Sequence, residues 1–245
     1  MSDKIKVFIT VFYRVTWLIP LCEDFVKAGC EVILIDNKST YPPLLEWYKT
    51  CPYKVIYMNK NELAWAFFTT DLYKQYKDRY FIISDSDMDI SKVPSDFVNV
   101  LFKGFERDLG SAWKVSLSYE IGDLPKNKYT QDVIEYQQRY WDENTLNAAG
   151  YYRTWIDLGI ALYDRTLRSD TPVKDGPVWY HALSAPRPYT ARHMDWYLTE
   201  ETVRPEDYYY FEHAEYFGMG CLWNERFSQK TIKNLHGYVE NKKTE

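Results

Sequence analysis

Tyr80-Phe81-Ile82-Ile83-Ser84-Asp85-Ser86-Asp87-Met88-Asp89-Ile90 is an apolar run that ends in three carboxylates at alternating positions. The run reads as a buried strand. Three anions this close repel one another and invite a divalent cation, which prefers hard oxygen ligands. In open α/β sheets, ligands bind at the carboxyl ends of the strands. The densest negative charge of the chain therefore falls where a metal-dependent site would lie, with a solvated acidic turn as the plain alternative.

Working back from this run, three more strands alternate with helical patterns. Lys6 to Phe12 is β-branched and aromatic, a first strand. Residues 15–28 repeat apolar side chains at helical spacing, with Gly29 at a C-cap position. Glu31 to Asp36 is continuously apolar before its aspartate, as in strands buried on both faces of a parallel sheet. Asn37 to Thr40 supplies turn chemistry, and Pro42-Pro43 opens a helix to about Cys51. Lys54 to Met58 is a third strand, a helix is expected from Glu62 to Lys77, and Arg79 to Ser84 is the fourth strand. This alternation predicts an α/β fold, a doubly wound and mostly parallel central sheet flanked by helices.

Onward from Ile90 the pattern loosens. Helices are expected over 95–107 and 131–141, strands over 112–119 and 155–163, and a polar loop over 122–130. Pro186 and Pro188 break the chain before Tyr189–Trp196, and Pro205 starts a helix of about ten residues. No repeat or linker stands out, so a single domain over 1–245 is expected, with a nucleotide-binding half (1–90) and an acceptor-binding half (91–240).

Composition narrows the function. The 245 residues carry a net charge of −5, which argues against a generic nucleic-acid surface. Aromatic residues make up 18% of the chain, as in large cores and in sugar-stacking surfaces. The four cysteines lack CxxC spacing, so packed thiols are expected rather than zinc or disulfides. Arg14 interrupts the apolar stretch from Val7 to Cys22, which is too short to span a bilayer. The first residues lack signal-peptide architecture, and a cytoplasmic location is expected.

No glycine precedes Gly29, so neither a P-loop nor a GxGxxG turn follows the first strand. Any phosphate must be held otherwise, and a cation on Asp85 and Asp87 is the obvious means. Asp36 ends the second strand where an acidic residue meets a nucleoside in doubly wound folds, or serves as a turn aspartate.

A first strand ending in Thr10-Val11-Phe12-Tyr13, a second ending in Ile35-Asp36-Asn37-Lys38-Ser39-Thr40, and a fourth ending in Ser84-Asp85-Ser86-Asp87 resemble a GT-A-fold glycosyltransferase. Within that class the chain resembles the small single-domain family-2 transferases of large algal viruses and bacterial surface-glycan loci. Residues 118–125, 156–163 and 191–197 extend the resemblance. The resemblance implies that Thr10, Val11, Phe12, Tyr13, Asp36 and Ser86 bind the nucleoside. It implies further that Asp85 and Asp87 hold Mn²⁺ or Mg²⁺ against the donor's diphosphate. Asp87-Met88-Asp89 is a second, overlapping acidic pair. His193 becomes a further metal ligand in that setting, although a lone histidine can equally be structural. Arg192 and Arg153 are candidates to neutralise the diphosphate.

Inverting transfer needs a carboxylate to take the acceptor's proton. Asp157 interrupts an apolar stretch, so it is either paired or functional. Asp195 lies beside His193 and Trp196, with a helix N-cap as its alternative role. The expected function is metal-dependent transfer of a sugar from a nucleoside diphosphate sugar, UDP being the family's commonest carrier, to a glycan acceptor. The alternatives are a sugar-1-phosphate nucleotidylyltransferase and a non-catalytic glycan-binding protein on the same scaffold.

Overall fold

The computed structural model describes residues 4–107, 112–154, 159–167, 182–199 and 201–213. Strands β1 (Lys6–Val11), β2 (Glu31–Asp36), β3 (Lys54–Tyr57) and β4 (Tyr80–Asp85) form the first half of an eight-stranded sheet. Helices α1 (Leu18–Lys27) and α2 (Pro42–Tyr48) join the first three strands. β2 and β4 flank β1, all parallel, and β3 lies outside β2. These strands alternate their side chains between two packed faces. Val7, Ile9 and Val11 join Leu18, Leu21 and Phe25 of α1 in one core, while Phe8 joins Ile33, Ile35, Phe67 and Phe81 in the other. Burial on both faces explains why these strands read as unbroken apolar runs.

The expected helix over 62–77 is broken. A 3-10 turn at Leu63–Trp65 leads to α3 (Ala66–Thr69) and then α4 (Leu72–Gln75). Thr70 between them is extended, and its hydroxyl donates to the Ala66 carbonyl at 2.7 Å and accepts from the Leu72 amide at 3.3 Å. Threonine hydroxyls compete for backbone groups in this way and interrupt helices.

After β4, the short β5 (Met88–Asp89) precedes α5 (Phe97–Arg107). The strand expected over 112–119 divides between two sheets, as β6 (Lys114–Ser116) and β7 (Ser118–Tyr119), on either side of Leu117. Helix α6 (Lys128–Gln138) starts earlier than expected because Asn127 and Thr130 form a capping box. Strands β8 (Tyr152–Arg153), β9 (Ile160–Asp164), β10 (Ala182–Ser184) and β11 (Thr190–His193) follow, and α7 (Pro205–His213) completes the described elements. Large-sheet order is β3-β2-β1-β4-β9-β6-β10-β8, and four of its seven pairings are parallel. The sheet thus draws strands from both halves of the sequence. A second sheet has the order β5-β11-β7, and its β5 follows β4 after the turn at Ser86 and Asp87. No helix among the described residues is long and apolar enough to cross a membrane.

Candidate active site

The carboxyl ends of β2, β1 and β4 lie side by side, with Val11 opposite Asp36 and Thr10 opposite Asp85. The sequence's three marked strand ends therefore converge on one edge. Asp36 is buried, and both of its oxygens accept hydrogen bonds, from the Ser39 amide and the Tyr48 hydroxyl, each at 2.8 Å. Burial, then the Asp36 carboxylate, pushes the Tyr48 phenol far above its ordinary range, so it remains a donor. Tyr13 has a left-handed backbone (φ 63°), and its amide donates to Ser39 Oγ at 3.1 Å, lacing the two loops together. Thr10 and Ser86 are also buried, and Thr10 Oγ1 has no hydrogen-bond partner among the described residues.

At the end of β4, the Asp85 amide donates to the Gly159 carbonyl at 3.1 Å, and the chain turns through Ser86 and Asp87. β5 then pairs antiparallel with β11, which sets His193 opposite Met88. The Met194 amide donates to the Asp87 carbonyl at 2.8 Å. His193 Nδ1 consequently faces Asp87 Oδ2 across 3.7 Å. That gap is too long for a hydrogen bond, and Nδ1 is buried without a hydrogen-bond partner. The imidazole is fixed from behind, stacked on Trp196 at 4.8 Å and edge-on to Tyr119 at 5.9 Å. Asp89 turns elsewhere, and its Oδ1 accepts from the Ser91 amide at 2.8 Å. Among the described residues, no group of three His, Cys, Asp or Glu side chains is gathered closely enough to hold a metal ion. The structure brings Asp87 and His193 together as a pair.

Gly159 is part of this support. A Cβ there would lie 2.6 Å from the Tyr119 hydroxyl oxygen, inside van der Waals contact. Gly159→Ala is expected to displace the ring that backs His193, costing about 1–3 kcal/mol. Urea denaturation should show a lower midpoint, and an unchanged midpoint would refute this account of the glycine.

The remaining sequence-predicted residues scatter. Arg192 is held by Asp123 through Nε at 3.0 Å and a second contact from Nη2, and the Tyr197 hydroxyl also donates to Asp123. Burial would raise the Asp123 pKa, but Arg192 and Tyr197 hold it below the ordinary range. Arg153 is not beside the site: β8 is four strand positions from β4, roughly 19 Å across the sheet. Asp157 lies outside the described residues. Asp195 is buried in the 3-10 turn Met194–Tyr197, where its Oδ1 accepts from Arg14 Nη2 at 3.0 Å.

Arg14, Glu206 and Asp207 belong to this neighbourhood and were not singled out from the sequence as site residues. Arg14 Nη1 donates to Asp207 Oδ1, and the guanidinium lies 4.7 Å from the ring centre of Tyr210. Burial works against the guanidinium's charge, but Asp207, Asp195 and Asp87 together hold it firmly protonated. Glu206 Oε2 accepts from the Val15 and Thr16 amides at 2.9 and 3.0 Å, capping the approach to α1. Helix α7 also sets Tyr209 edge-on to Tyr13 at 5.2 Å and its hydroxyl 3.0 Å from Thr40 Oγ1. The one sequence signal for this cluster was Arg14 itself, a charge within an apolar stretch.

A mixed sheet with this order, flanked by helices, is a GT-A fold. Solved structures agree. The chain is similar to S. aureus TarS at 13% identity with a TM-score of 0.50, over 98% of this chain and 43% of that one. It is similar to TarS 1-349 in complex with UDP at 12% identity and a TM-score of 0.50, over 98% of this chain and 71% of that one. GalNAc-T7 with UDP, GalNAc and Mn²⁺ is a looser match, at 12% identity and a TM-score of 0.48, over 95% of this chain and 54% of that one. At such identities the likeness is one of fold, and the chain spans less than half of the first TarS structure. No protein-family model matches the chain, and no curated protein matches it.

Proposed function

We propose that the protein is a metal-dependent glycosyltransferase that moves a sugar, with inversion, from a nucleoside diphosphate sugar to a glycan acceptor. The observation that carries this reading is the Asp87–His193 pair at the carboxyl edge of a GT-A sheet. A buried nitrogen without a hydrogen-bond partner faces a carboxylate oxygen across 3.7 Å, a span that one cation with bonds of about 2.1 Å can bridge. Imidazole with carboxylate oxygens suits Mn²⁺, and Mg²⁺ is the alternative. Such cations are commonly held by one or two carboxylates plus substrate phosphates, so a preformed three-ligand cage is not required.

In this reading Asp85, Asp87 and His193 hold the cation, which when bound supplies positive charge against the diphosphate leaving group. Thr10–Tyr13, Asp36 and Ser86 form the nucleoside side of the site, and UDP is the first carrier to test. Arg192 can serve the diphosphate only by leaving Asp123, and Arg153 is too distant to be retained. Asp195 takes the proton of the acceptor hydroxyl as its oxygen bonds to the anomeric carbon. The bond from that carbon to the phosphate oxygen breaks, and its electron pair leaves with the nucleoside diphosphate. Asp157 is the other carboxylate for this role.

The test is calorimetric titration of UDP, GDP and dTDP into the protein with Mn²⁺, repeated in EDTA. Binding of one nucleotide only in the presence of metal is expected. Absence of nucleotide binding in every condition would sink the transferase reading, and free glycans would become the ligands to try.

A further inference from the structure

Arg14 is fixed by two parts of the chain that are far from it in sequence. Asp195 and Asp207 lie 181 and 193 residues away, and each takes one of its terminal nitrogens. Only 6% of Arg14 is exposed, and the residue before it is held in a left-handed conformation (φ 63°). A bulky residue adopts that conformation only at a cost, so the turn that delivers Arg14 inward is maintained by its surroundings. The partner segment is fixed as closely. Asp195 is two residues from His193, and Met194 between them is bonded through its amide to the Asp87 carbonyl at 2.8 Å.

We infer that Arg14 is the positioning residue for Asp195. One guanidinium nitrogen is occupied by Asp207 of α7, so the planar fork cannot swing, and the other fixes the Asp195 carboxylate relative to the Asp87–His193 pair. Arg14 touches no reacting atom in this account and acts through Asp195. The inference rests on the transferase reading and adds to it the residue that orients the base.

The experiment compares steady-state transfer and nucleotide binding in wild type, Arg14→Met, Arg14→Lys, Asp195→Asn, the Arg14→Met/Asp195→Asn double variant and Arg79→Met. Arg14→Met and Asp195→Asn are each expected to lower kcat at least about 100-fold, with nucleotide affinity within about threefold of wild type. The double variant should be no slower than either single one, since both changes remove one device. Arg14→Lys keeps the charge without the fork and should recover kcat in part. It also carries the test if Arg14→Met fails to fold. Arg79→Met breaks the ion pair with Asp164 at the amino end of β4, the opposite end from Asp85, and should lower Tm while leaving kcat intact. Wild-type kcat in Arg14→Lys, or an equal kcat loss in Arg79→Met, would overturn the inference, because kcat would then follow overall stability and not the placement of Asp195. A wild type that transfers sugar from no nucleotide donor would sink the transferase reading itself.

Discussion

Asp87→Ala is expected to abolish metal-dependent nucleotide binding and to lower kcat/KM about 1,000-fold or more. The carboxylate removed is the one that faces His193 Nδ1 at 3.7 Å. Without it the cation keeps only Asp85 and a neutral imidazole from the proposed set, and the leaving diphosphate loses the charge that stabilises it. Metal ions contribute several kcal/mol to such transition states, and each 1.36 kcal/mol is tenfold in rate. Asp89→Ala is the informative comparison, because its carboxylate caps the Ser91 amide instead of facing the histidine. Calorimetry with and without Mn²⁺ should therefore separate the two overlapping acidic pairs. Equal nucleotide binding by Asp87→Ala and wild type would remove the metal site from the account.

Acidification from pH 7.5 to 5 is expected to raise Tm. The Asp207 carboxyl is pushed up to about 6 from the model-compound value of 3.8. Burial is the largest cause; Glu206 and Asp195 push the same way, and Arg14 pulls against them without prevailing. Since the folded pKa exceeds the unfolded one, the folded protein binds the extra proton between the two values. Its stability therefore falls as pH rises from about 4 to 6 and is flat above that. A shift of about two pKa units corresponds to roughly 3 kcal/mol over the whole window, of which about 1 kcal/mol is gained by pH 5. For a chain of this size that is about 2–4 °C. Below about pH 4 the sign reverses, because burial would raise the pKa values of Glu120, Asp123 and Asp164 but Arg187, Arg192 and Arg79 respectively outweigh it and hold them low. Those three carboxylates lose stabilising ion pairs on protonation. Thermal melts at pH 7.5, 6 and 5 on wild type and Asp207→Asn check this. A slope that persists in the variant would assign the effect to another group.

Asp87 and Asp207 differ in how far the sequence marks them. Asp87 could be found in the chain because a local pattern marks it, with an apolar strand running directly into alternating acids. Asp207 was invisible as more than a helix-start acid. Its altered chemistry comes from burial beside Glu206, Asp195 and Arg14, and no local pattern encodes that meeting. In the sequence Arg14 is only a break in an apolar stretch, although its burial requires a partner. The helix expected over 62–77 failed for a local reason, since the hydroxyl of Thr70 took backbone bonds that a continuous helix would have used.

The four parallel strands, the first two helices between them and the acidic turn after the fourth strand can all be read from the chain alone. Those features follow from apolar periodicity and short-range turn chemistry, which act within a few residues. Which charges meet is set by long-range packing. It insets β9 antiparallel beside β4, lays β11 against β5 so that His193 faces Asp87, and folds α7 back onto the loop after β1. It also separates Arg153 from the site and commits Arg192 to Asp123. Ion pairs and metal ligation act between side chains through space, so their partners are set by the packing of distant segments and not by spacing along the chain.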